Sequence, residues 1–442
     1  MLLFIPTFFF MEITSQITPN LMGYWAYSDA LVTNDEIVIF YKKKYTDEEG
    51  EKGGITRYKF DLAKISEDID IEEFSTIEEN IKIYNLYNEY FIILLRRSIK
   101  IIQNYEVIKS IYPSPYNYFR DLCIISGSKF LVLIPQHTTG NIVYRLFDLN
   151  IESNFDDENP TYKTFTSTKQ YKNFKCEKFY LSNNNYIFCL MTYESTDEID
   201  LLYYNIFDDS LNEIVSEKEL SEYTSQQGYI QYILMVKFSD EIIISLLAKY
   251  NENDEDCEID YICNSILISF QIVNNGGSIN IIKKHEINFN IYTGSQQIYL
   301  EKLSDKRIAV VYPNDYDLMK YIIKLISYID NVFNESKEFS IESTNEYNID
   351  SIRIFNINSE IAITYCQEDW EEEDQEGFTY FLYLTVPKCQ DFEINAYINT
   401  VENIDFGKYI LNNGLMEPET KSYKIKIEST NLDIYYNEEN IK

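Results

Sequence analysis

One pattern dominates the 442-residue chain, a polar turn that runs straight into an apolar strand, repeated seven times. It reads NDEIVIFY at 34–41, NEYFIILL at 88–95, SKFLVLI at 128–134 and NNYIFCLMTY at 184–193. It returns as SDEIIISLLAKY at 239–250, SDKRIAVVY at 304–312 and NSEIAITY at 358–365. Anchored on Glu36, Glu89, Lys129, Asn185, Glu241, Lys306 and Glu360, the units are spaced 40 to 65 residues apart. An apolar strand precedes each turn, as in DLCIIS and YILMVKFS. A third strand rich in Tyr, Phe and Ile follows a polar connection, as in ITRYKFDL and IDLLYYNIF, and a weaker fourth is visible in INIIKKHEI. β-Branched and aromatic runs punctuated by Asn, Asp, Ser and Gly are the signature of strands and tight turns. A four-stranded unit cannot bury both of its faces alone, so its neighbours must cover it, and loops absorb the uneven spacing.

Seven such units resemble the β-propeller architecture over roughly residues 20–395. The expectation is an all-β, seven-bladed propeller at 21–397, with residues 398–442 a short β extension or part of a second domain. A pair of β-sandwiches and a six-bladed ring with one degenerate unit are the rival architectures. The resemblance stops at architecture. The GH…WD marks of WD40 blades, a kelch double glycine recurring from unit to unit, the sialidase S-x-D-x-G-x-x-W box and the integrin-type D-x-D-x-D-G loop are all absent, so no functional residue carries over.

The opening MLLFIPTFFFM is as long as the apolar core of a signal peptide but lacks a basic start and a clear cleavage site. Residues 1–20 therefore read as a signal peptide or as a strand that closes the fold. No later run is long and uncharged enough to span a membrane. The seven cysteines fall in close pairs, 176/189, 257/263 and 366/389, with Cys123 left over. That spacing fits local bridges in an oxidising compartment, or unpaired thiols in a cytoplasmic protein. One acceptable glycosylation sequon is present, at Asn334.

Charge excludes one class of partner. With 72 acidic against 38 basic residues the net charge is −34, a surface that repels a phosphate backbone and attracts cations and basic proteins. No catalytic constellation is legible. The two histidines, His137 and His285, are far apart, no second Cys or His pair completes a zinc site, and no glycine-rich phosphate loop occurs.

The acidic residues concentrate between the second and third strands of the units. Unit one carries Asp47, Glu48 and Glu49; unit four Asp197 and Glu198; unit five Asp254, Glu255 and Asp256; unit six Asp315 and Asp317. Unit seven carries Glu371, Glu373 and Asp374 beside Trp370, an aromatic on a polar loop that suits a binding anchor. Units two and three break the rule, with Arg96, Arg97 and Lys100 in one and the neutral HTTGN in the other. In NDEDCEIDYIC a Cys257–Cys263 bridge would pin the loop. Asp254, Asp256, Glu258 and Asp260 there have the charge of a calcium loop without its glycine or its spaced bidentate glutamate, which points to weak Ca²⁺ binding at most and to no other cofactor. The expected function is a non-enzymatic interaction propeller, secreted or part of a cell-surface ectodomain. It would bind a basic or cation-bridged protein through one acidic face. The alternatives are an intracellular scaffold propeller and a carbohydrate-active enzyme with a carboxylate pair.

Overall fold

A computed structural model of the chain describes residues 20–23, 26–33, 36–43, 52–60, 63–65, 69–71, 82–87, 90–104, 106–112, 118–136, 139–151, 163–194, 200–220, 229–250, 257, 261–276, 278–294, 297–314, 318–343, 348–357, 360–368 and 377–384, and the short strands 394–396, 404–405, 425–427 and 434–435. The chain divides into a compact unit Pro19–Leu382 and a second unit made of Met1–Thr18 with Tyr383–Lys442.

The larger unit is a β-propeller of four-stranded antiparallel sheets. After a first strand, β1 (Asn20–Gly23), blade 1 takes β2 (Ala26–Val32), β3 (Glu36–Lys43), β4 (Lys52–Lys59) and β5 (Ile69–Ile71). Blade 2 takes β6 (Lys82–Tyr87), β7 (Tyr90–Leu94), β8 (Ile99–Gln103) and β9 (Glu106–Ile111). Blade 3 takes β10 (Asp121–Ile124), β11 (Lys129–Pro135), β12 (Asn141–Asp148) and β13 (Lys163–Gln170). Blade 4 takes β14 (Asn173–Leu181), β15 (Asn184–Glu194), β16 (Asp200–Asp208) and β17 (Glu213–Glu219). Blade 5 takes β18 (Tyr229–Lys237), β19 (Ile242–Tyr250), β20 (Ile262–Asn275) and β21 (Ser278–Tyr292). Blade 6 takes β22 (Tyr299–Ser304), β23 (Arg307–Pro313), β24 (Lys320–Ile329) and β25 (Val332–Glu342).

These six blades are each built from consecutive strands. The expected seventh unit differs: β26 (Asn348–Ile357), β27 (Glu360–Glu368) and β28 (Gly377–Leu384) are completed by β1 from the other end of the chain. The register pairs Asn20 with Phe381, Leu21 with Tyr380 and Gly23 with Thr379. The repeat therefore resolves into six self-contained blades and one composite sheet that fastens the ring. The innermost strand of blade 1, β2, touches both β6 and β26.

Burial explains why the second strand of each unit stands out in the sequence. A blade is covered on both faces by its neighbours, so its inner strands need apolar residues at every position rather than at alternate ones. Positions 36–40 of β3 are all buried, and β11, β19 and β23 are buried through their centres. The outermost strands β13 and β17 are largely exposed and polar, and β9 is half exposed. The core is accordingly not one mass but a series of layers between blades. Phe188, Tyr204 and Leu202 of blade 4 pack with Ile243, Leu247 and Phe270 of blade 5. Ile244, Leu246 and Leu267 of blade 5 pack with Ile308, Val310 and Ile326 of blade 6. Tight hairpins tie the sheets together where the sequence offers polar residues that tolerate positive φ. Ser182–Asn183 and Asp330–Asn331 both do so at consecutive positions, as a type I′ turn requires.

The second unit contains β29 (Ile394–Ala396), β30 (Ile404–Asp405), β31 (Ile425–Ile427) and β32 (Ile434–Tyr435), paired in parallel as β29 with β31 and β30 with β32. No described helix is long and apolar enough to cross a membrane.

Candidate functional site

The strand order fixes where the acidic connections leave the ring. Every blade is a four-stranded meander and successive innermost strands neighbour one another, so all connections from second to third strand emerge on one face. The segments between β3 and β4, β15 and β16, β19 and β20, β23 and β24, and β27 and β28 are the ones that carry the acids. Asp47, Glu48, Glu49, Asp197, Glu198, Asp254, Glu255, Asp256, Glu258, Asp260, Asp315, Asp317, Trp370, Glu371, Glu373 and Asp374 themselves lie outside the described residues, as does His137. Asp200, next after the unit-four connection, does not join the face. It is 3% exposed, and its carboxylate accepts a hydrogen bond of 2.8 Å from the Ile230 amide of blade 5.

Blade 2 supplies a correction. Arg96 and Arg97 are exposed, and the Arg96 guanidinium lies 5.2 Å from the centre of the Tyr118 ring. Lys100, expected beside them on the face, is instead buried in β8, with its ammonium donating to Ser110 at 3.0 Å and to Tyr112 at 3.4 Å. The cause is that β8 is covered on both faces, so Lys100 is buried like the isoleucines on either side of it and finds hydroxyl partners rather than water.

Cys257 and Cys263 are bonded to one another and buried, which joins the middle of the unit-five connection to the start of β20. A second bridge links Cys176 of β14 to Cys189 of β15, residues that stand opposite each other in the antiparallel register. Cys123 is a buried free thiol pushed well up from its ordinary range by burial, with Glu177 adding to the effect. Cys389 lies outside the described residues.

Around the ring axis the innermost strands bring together a charged cluster that sequence inspection missed. Asp29 of β2 accepts the Ile83 amide of β6 at 2.7 Å and pairs with Arg353 of β26, whose guanidinium lies 4.6 Å from the Tyr299 ring centre on β22. Asp121 of β10 receives Lys175 of β14 at 2.8 Å, the Tyr84 hydroxyl of β6 at 3.3 Å, and Lys82 of β6 at 3.8 Å. Burial alone would raise Asp121, but Lys175 and Lys82 overcome it and hold the carboxyl below its ordinary value. Burial would lower Lys175, and Asp121 more than reverses it.

Three groups of the cluster are left poised. Lys82 is pushed down to about 8, by its surroundings first and then by Lys175 and Arg353 against the pull of Asp121. Protein encloses it, yet its side chain is 37% exposed, so water reaches it. Glu177 is raised to about 7 by burial, which Lys175 only partly offsets. Burial raises Glu301 in the same way against Arg353. Because the strongest charges are already paired across blades, the cluster serves first to lock inner strands together. Glu177, raised to about 7, and Lys82, lowered to about 8, are the members brought nearest neutral pH. Among the described residues no group of metal-ligating side chains converges.

No protein-family model matches the chain, and no curated protein matches it in sequence. Solved structures resemble it in fold. The S. cerevisiae core factor is 10% identical with a TM-score of 0.51, over 84% of this chain and 61% of that one. The β-propeller domain of the Trilobed protease from Pyrococcus furiosus is 11% identical with a TM-score of 0.43, over 80% of this chain and 93% of that one. The polysaccharide lyase Uly1 is 7% identical with a TM-score of 0.45, over 80% and 89%. At these identities the likeness bears on the fold alone.

Proposed function

We propose that the protein is a non-enzymatic interaction propeller that binds a basic or cation-bridged protein through the face formed by its second-to-third-strand connections. The observation that supports this is topological: five acid-rich connections, far apart in sequence, belong to equivalent positions of the blades and therefore leave the ring on one side. Their fields add, and an attraction of this kind raises association rates and weakens with salt. Calcium binds weakly and diffusely to such a rim and could bridge it to a second acidic surface. The two bridges at Cys176–Cys189 and Cys257–Cys263 support a secreted or cell-surface setting.

The test is binding of a lysine-rich peptide to the full chain across ionic strength, with and without a calcium chelator. Replacing Glu371, Glu373 and Asp374 together by alanine is expected to weaken binding several-fold at low salt and to flatten its salt dependence. Unchanged affinity in that variant, or binding indifferent to salt, rejects the acidic-face reading. Seven free thiols in the denatured, unreduced protein would reject the extracellular one.

A further inference from the structure

A small aromatic corner lies on the same face, where blade 3 passes into blade 4. Tyr193 is near the end of β15 and Tyr203 near the start of β16, so both sit beside the second-to-third-strand connection. Their rings are 6.2 Å apart and nearly perpendicular, at 84°. Tyr171, in the short passage from β13 to β14, stands 6.4 Å from Tyr193 at 75° and 6.1 Å from Tyr203 at 59°. It braces both walls.

Hydrogen bonds fix the corner from behind. The Tyr171 hydroxyl donates to Glu217 at 2.7 Å and the Tyr203 hydroxyl donates to Glu219 at 3.3 Å. Glu217 also receives the Thr168 amide at 2.9 Å, so strand β17 holds the rings in place and adds negative potential beneath them. Tyr171 and Tyr203 are buried, whereas Tyr193 is only partly so.

The corner already contains a cation. The Lys169 ammonium lies 3.7 Å from the Tyr203 ring centre and 5.3 Å from that of Tyr193. Among the described residues it makes no ion pair or hydrogen bond through that ammonium. A primary ammonium carries three donors, and among the described residues the surroundings offer it ring faces alone. Faces of this kind attract any cation, but they best suit one that needs no hydrogen bonds, such as a methylated ammonium.

We propose that the Tyr193–Tyr203 corner recognises an alkylammonium group of an incoming ligand, and that Lys169 is an internal stand-in which the ligand displaces. The site rests on the reading of this face as the one that meets cationic partners, and it supplies a specific contact where the acidic connections supply only long-range attraction. Lys169 sets the threshold. While it occupies the corner, apparent affinity is reduced by the fraction of molecules in which the corner is open.

The experiment is a titration of the full chain with tetramethylammonium chloride, and in parallel with a short peptide carrying one trimethyl-lysine. Both are followed by calorimetry and near-ultraviolet circular dichroism in about 0.5 M NaCl, where the Debye length of roughly 4 Å suppresses diffuse attraction to the acidic face. Lys169→Ala is expected to bind at least about tenfold more tightly than the unaltered chain. Adding Tyr193→Leu is expected to reverse about fivefold or more of that gain, as loss of one cation–π wall implies. Tyr203→Phe, which keeps the ring, should retain binding and guards against a folding defect in the wall variants. A peptide at least tenfold tighter than tetramethylammonium marks a protein side chain as the ligand; equal affinities mark a free quaternary ammonium. No saturable binding by folded Lys169→Ala, or binding that survives Tyr193→Leu undiminished, overturns the proposal. If lysine-rich peptide binding still falls with salt in that case, the acidic-face reading stands without it.

Discussion

At the scale of single residues, the axial cluster shows how a buried charge is used or avoided. Asp121 can remain ionised because two lysines and a phenol converge on it, whereas Glu177 has no comparable partner and is pushed to about 7. The consequence for stability has a definite sign. A carboxyl whose folded value lies above its unfolded value of 4.5 binds more protons when folded. Its contribution is therefore complete below pH 4.5 and lost as pH rises through about 7. The urea midpoint of the unaltered chain, measured relative to Glu177→Gln, is expected to fall between pH 5 and pH 8. Glu301 is raised too and acts in the same direction, so the comparison between the two proteins isolates Glu177. Parallel pH profiles would show that Glu177 is ionised throughout this range.

At the scale of elements, legibility followed burial. The second strands could be read because a strand covered on both faces must be apolar throughout, and the outer strands were faint because half their residues face water. The axial pairs were not legible. Asp29 and Arg353 are 324 residues apart, and nothing local marks one as the partner of the other. Lys100 was misplaced for a related reason, since a lysine near two arginines looks exposed until the pairing register of β8 puts it inside. The acidic connections were plain in the sequence and their common face follows from strand order, but their residues lie outside those described. The closing strand is the element with the sharpest consequence. Without β1 the edge of β28 is unpaired and blade 1 meets the composite sheet only through its inner strand. Deleting residues up to Gly23 removes three register pairs, each carrying hydrogen bonds of about 1 kcal/mol net. A loss of about 2 kcal/mol or more, read from the urea midpoint with a lower slope, is expected; an unchanged transition would show that the ring closes without β1.

At the scale of the whole molecule, a net charge of −34 acts on stability and on binding in opposite directions. Most of the described ion pairs lie at the surface, such as Lys302 with Asp305 at 2.8 Å and Lys237 with Asp240 at 2.7 Å, and exposed pairs of this kind contribute little. The larger surface term is repulsion among unpaired acids, which opposes compaction. Raising NaCl from about 0.01 M to about 0.3 M shortens the Debye length from about 30 Å to roughly 6 Å. That screens the repulsion while leaving the buried Asp121–Lys175 and Asp29–Arg353 pairs nearly untouched. The thermal midpoint is therefore expected to rise by a few degrees over this range, and further with CaCl₂ at matched ionic strength. Over the same range the affinity for a lysine-rich peptide should fall, because the field that destabilises the ring is the one that draws the peptide in. A midpoint that drops with salt would mean that favourable surface pairs outweigh the repulsion. The face would then lack the excess potential on which its attraction for basic partners depends.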